Sequence, residues 1–246
     1  ATTNDDDDDA DDDDDLLLEC LEYKLSESVT NSNLSIGPKG CDTLAFFLEL
    51  SQFGTIPAPF VRASVFSVCD DTTRCLNERT FRATMRNLVS ASRGECGLRP
   101  ANLEEMSFVD ALMTKIFNAF DDDGLSEGAM ADELACGASL FASGSKSEKL
   151  AECFDMFDQN GTGDLGRITF SRYLISILTA LGQWDEGHWE ERRNYPDPRN
   201  VRRMVAAVIE ELVATIFSEA EIGSNGTITF ASFADWYTNV GFTCMP

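Results

Sequence analysis

Leu150-Ala-Glu-Cys-Phe154-Asp-Met-Phe157 leads into Asp158-Gln-Asn160-Gly-Thr162-Gly163-Asp164-Leu165-Gly166-Arg-Ile-Thr169, and Phe170-Ser-Arg-Tyr-Leu-Ile-Ser-Ile-Leu178 follows. In the first block apolar residues recur at spacings of three and four, so Phe154 and Phe157 share one helix face. The middle block is polar and interrupted by glycine, which suits a loop. The third block resumes a helical period and opens on an aromatic. The stretch therefore reads helix, loop, helix.

The same order recurs from Pro57 onward, and an internal repeat of this kind outweighs any single motif. A second copy is Ile116-Phe-Asn-Ala-Phe120, then Asp121-Asp-Asp123-Gly-Leu-Ser-Glu-Gly-Ala-Met-Ala-Asp132-Glu133-Leu134. A later one is Val213-Ala-Thr-Ile-Phe217, then Glu221-Ile-Gly-Ser-Asn225-Gly226-Thr-Ile228-Thr-Phe-Ala-Ser232 and Phe233. The earliest is Val65-Phe-Ser-Val-Cys69, followed by a polar run through Leu76 to Thr80 and Phe81.

These residues resemble the EF-hand family. A hard cation such as calcium needs several oxygen ligands about 2.3–2.6 Å away. The resemblance implies that Asp158, Asn160, Thr162 and the Asp164 carbonyl supply them in the third loop. Gly163 then makes the sharp turn, and Leu165 pairs with a neighbouring loop. Thr169 stands where the family has a bidentate Glu. In the second loop Asp121, Asp123 and Glu133 are the candidate ligands. Asp121 to Glu133 spans thirteen residues where the family uses twelve. A start at Asp122 restores the length but puts Gly124 and Glu127 at unsuitable positions. Loops 69–80 and 221–232 also end in Thr80 and Ser232, so three of four lack the terminal carboxylate. Its loss costs roughly 2–4 kcal/mol of cation binding. The expected ion is calcium held weakly, with magnesium as the alternative.

The resemblance covers about residues 57–240. The pattern Phe-Asp-x-x-Gly, with the segment Gly137–Leu150 feeding the third unit, looks like the neuronal-calcium-sensor, calcineurin-B-like and calaxin branch. It implies an all-α fold: two EF-hand lobes with short β-type loop pairing, plus extra N-terminal helices. The divisions are an acidic tail (1–15), an N-terminal helical extension (16–56), and lobes at 57–145 and 146–246. In the extension, LLLECLEYKL and CDTLAFFLELSQF read as short helices. The second lobe contains a long connection at 182–200.

Composition narrows the function. The 246 residues carry 43 acids against 19 Lys and Arg, a formal charge of −24. Ten Asp lie in residues 1–15, so taking them away leaves −14 on the remainder. That charge disfavours nucleic acid and anionic lipid as partners. No apolar run approaches the ~20 residues of a membrane span, so no direct membrane insertion is expected. Eight cysteines without a C-x-x-C pair, and one histidine, His188, give poor material for zinc. No nucleophile–base set or phosphate loop is readable, so no enzyme activity is expected. An intracellular setting is expected, cytoplasmic or cytoskeletal/axonemal, with organelle import after leader cleavage as the alternative.

Two binding features stand out. Phe170, Tyr173, Leu174, Ile175, Ile177, Leu178 and Leu181 cover more than half of a helix. One face packs inside the fold; the other either lines a groove for a partner's amphipathic helix or is covered by the chain itself. Arg192, Arg193, Arg199, Arg202 and Arg203 either form a salt-bridged surface or meet an acidic partner, such as the chain's own Asp run. That run could equally take a basic partner. The expected role is a non-catalytic, helix-binding structural or accessory subunit of a larger assembly. The alternative is a calcium-responsive regulator whose central loops switch its affinity for a target protein.

Overall fold

The computed structural model describes residues 22–23, 34–35, 38–121, 128–184 and 198–241. The Asp run, Asp123, His188 and most of the 182–200 connection lie outside the described residues.

The chain is predominantly helical. Helix α1 (Pro38–Ser51) is followed by a 3₁₀ turn, Phe53–Thr55. Four helix–loop–helix units come next. They are α2 (Ala58–Phe66) with α3 (Glu78–Glu95), and α4 (Leu103–Phe120) with α5 (Ala131–Ser139). The others are α6 (Lys146–Phe157) with α7 (Arg167–Gly182), and α8 (Pro198–Glu219) with α9 (Phe230–Trp236). The helix expected over LLLECLEYKL is not formed at its described residues. Glu22–Tyr23 (β1) instead pairs antiparallel with Leu34–Ser35 (β2). The intervening sequence is rich in Ser, Thr and Asn, which favour turns over helix.

Loops join in pairs through short antiparallel ladders. Cys75–Leu76 (β3) pairs with Ala129–Met130 (β4), setting Leu76 opposite Ala129. Asp164–Gly166 (β5) pairs with Thr227–Thr229 (β6), setting Leu165 opposite Ile228. All four of these apolar residues are buried. Each ladder thus pins two loops together and plugs the core beneath them. Gly128 holds φ +79, and a Cβ there would meet the Leu76 carbonyl oxygen at 2.1 Å. Only glycine allows that approach.

Caps set the helix starts. Asn77 Oδ1 accepts the Thr80 N–H at 2.9 Å, and Thr229 Oγ1 accepts the Ser232 N–H at 3.1 Å. The residue three before each loop's end therefore caps the helix, and Thr80 and Ser232 contribute their N–H groups. Helices α4 and α6 start on reciprocal capping boxes, Asn102 with Glu105 and Ser145 with Glu148.

One apolar core runs from Phe47 on α1 to Trp236 on α9. Every residue of α5 is buried, and it packs against α2, α6 and α7. Helix α8 packs on both α4 and α7. The two pairs of units consequently share a core. Leu174, Ile177 and Leu178 on α7 are buried, so of the two readings of this helix the second holds: the chain's own helices cover its other face.

Candidate functional site

The third loop is built around Asp158. Its Oδ1 accepts the Thr162 N–H at 3.1 Å, and its Oδ2 accepts the Gly163 N–H at 2.6 Å. Burial alone would raise this carboxyl's pKa. The hydrogen bonds from Gly163 and Thr162 outweigh it and hold the group below the ordinary carboxylate value. The Thr162 hydroxyl lies 3.1 Å from Asp164 Oδ1. Asp158, Thr162 and Asp164 are therefore brought together. Asn160 is exposed, Thr169 is half-buried in the first turn of α7, and neither hydrogen-bonds to that group among the described residues.

The second loop is arranged differently. Asp121 ends α4, with its N–H donating to the Phe117 carbonyl. Glu133, the surviving terminal carboxylate, is buried in α5 and faces two guanidinium groups. Arg172 Nε on α7 donates to Glu133 Oε1 at 3.1 Å, and Arg202 Nη1 on α8 donates to Oε2 at 2.6 Å. The neighbouring Asp132 takes a bidentate pair from Arg172 Nη2, both contacts at 3.1 Å. Desolvation pushes the Asp132 pKa up despite the opposing Arg172 charge, and Glu133 adds to the rise. The arginines also lie over aromatic rings, Arg172 over Phe157 and Arg202 over Phe120. Two buried acids and two partly exposed arginines thus join α5, α7 and α8 at the edge of the shared core.

This cluster bears on the expected ligands. Calcium takes six to eight oxygens, and both Glu133 oxygens already accept charge-assisted hydrogen bonds. Loop three has no carboxylate at Thr169, and both Asp158 oxygens are engaged by backbone N–H groups. Among the described residues no group of three or more His, Cys, Asp or Glu side chains is placed to hold a metal ion.

Sequence reasoning missed Asp132 and Arg172; it expected Arg202 on a salt-bridged surface or against an acidic partner, and the structure gives Arg202 an ion pair with the buried Glu133. The available signal was an Asp-Glu pair inside the small-residue run Ala131–Ala138, since buried acids require partners. Arg172 interrupts the apolar 170–178 block in a complementary way.

Beside loop three, a cleft of about 620 Å³ opens between α2 and α6. Arg62 bridges it to Glu152 at 3.1 Å, and Arg74 covers the Phe66 ring with 4.8 Å from Cζ to centroid. Its lining contains Asp155 and Asp158 but no serine, threonine, cysteine or histidine. No described helix is long and apolar enough to cross a membrane. No known protein family, curated protein or solved structure matches the chain.

Proposed function

We propose that the chain is an EF-hand protein, related to the neuronal-calcium-sensor, calcineurin-B-like and calaxin branch. It acts as a non-catalytic, helix-binding structural or accessory subunit of a larger assembly and works largely without calcium. The observation that carries this reading is the engagement of Glu133 by Arg172 and Arg202. Two fixed guanidinium groups supply the positive charge that the terminal carboxylate of such a loop otherwise takes from a cation. The paired loops, with Leu165 opposite Ile228 and Leu76 opposite Ala129, support the family assignment. Asp158, Thr162 and Asp164 support one weak calcium or magnesium site in loop three.

Calorimetric titration of calcium and magnesium into the full chain tests this. No saturating heat below millimolar calcium is expected. Saturation at micromolar calcium would instead establish the alternative, a calcium-responsive regulator whose central loops switch target affinity.

A further inference from the structure

Among the described helices, α1 and α4 together present an aromatic pair to solvent. Phe46 on α1 is 50% exposed, and its ring meets Phe108 on α4 edge-on, with centroids 5.0 Å apart. Asp42 and Glu49 lie four residues before and three after Phe46, on the same helix face. Glu104 lies one turn before Phe108 in the same way, with Ala111 on the following turn. Asp42, Glu49, Glu104 and Ala111 are all exposed. Unlike Glu105, which pairs with Arg99, these three acids form no ion pair among the described residues. Lys115 stands two turns beyond Phe108 at the far end of the α4 face, and it has an interaction of its own. An exposed apolar group ringed by unpaired charges of one sign is a recognisable docking surface.

Charge selects the occupant. The chain's own Asp run would be repelled by Asp42, Glu49 and Glu104. A second copy, with its formal charge of −24, would be repelled over longer range. We infer that the α1–α4 face binds a basic amphipathic helix of a protein partner, whose apolar residues cover Phe46 and Phe108 while Lys or Arg pair with the three acids. This rests on the helix-binding reading above and gives it a surface, one distinct from the covered face of α7.

Fluorescence anisotropy of a labelled 18-residue Leu/Lys amphipathic peptide, titrated with the full chain, tests it. Three variants accompany the wild type: Phe46→Ser; Asp42→Asn/Glu49→Gln/Glu104→Gln; and one with Asp5–Asp9 and Asp11–Asp15 changed to Asn. The first two should each weaken binding about tenfold. The tail variant should stay within about twofold, because the face and not the tail makes the contacts. The triple variant alters only exposed charges, so its result stands even if Phe46→Ser perturbs folding. Loss of binding in the tail variant alone would overturn the α1–α4 surface and leave helix binding intact. Absence of wild-type binding at millimolar protein would overturn both.

Discussion

Arg172 meets both buried acids of α5, through Asp132 at 3.1 Å and Glu133 at 3.1 Å. Replacing it with Met takes away the guanidinium beside buried Asp132 and leaves its carboxylate only the Glu133 N–H, and chemical denaturation should show a loss of about 3–5 kcal/mol. Asp132→Asn should behave differently. The folded pKa of Asp132 is raised, so its contribution to stability is full below the unfolded value and is lost as pH rises through the folded one. The wild type should therefore gain on Asp132→Asn as the pH falls from 7 towards 4, a trend that urea unfolding at several pH values measures. Asp110 runs the opposite way. The Arg86 hydrogen bond, with help from Arg82, lowers its pKa against a smaller desolvation effect. Its stabilisation is present above the unfolded value and is lost as pH falls through the folded one. Asp110→Asn should cost about 1–2 kcal/mol at pH 7 and almost nothing near pH 2. These partners are separated by 39 and 69 residues for Glu133, so no local pattern announced them.

The elements themselves were legible because their signals are local. Phe154 and Phe157 lie on one face and are both buried, as their spacing implied, and Leu165 pairs with Ile228 in the neighbouring loop, as the resemblance implied. The helix starts were harder to read, because the capping oxygens come from Asn77 and Thr229, three residues before the loop ends that the repeat marks. The β1–β2 pair was also missed: two-residue strands carry too little periodicity to read. Where α5 meets α7 and α4, a Cβ on Gly137 would lie 3.1 Å from Ala180 Cβ and from the Phe120 ring. Gly137→Val should therefore push α5 off α7 and α4 and cost about 1–3 kcal/mol by thermal unfolding. Gly94, where a Cβ meets nothing within 4 Å, is the control, and Gly94→Ala should leave stability unchanged or slightly raised.

At the scale of the whole molecule, the surprise lies in the joining of the two halves. The repeat predicted two lobes, but it could not show that α8 would lie across both α4 and α7, or that α7 would lose its free face. Long-range packing of this kind depends on side chains distributed over the entire chain, such as Trp184 against Phe47 and Phe141. The ion cluster sits at that junction, with Arg202 reaching from α8 to α5. On the proposed reading, a fold closed by its own arginines gains little from a cation. The most direct measurement is the unfolding midpoint of the full chain in excess chelator and in 1 mM calcium. A calcium site of about 10 μM affinity would add about 2.7 kcal/mol and raise the midpoint by roughly 5–10 °C. A shift below about 2 °C is expected; a rise of 5 °C or more would contradict a scaffold that stands without calcium.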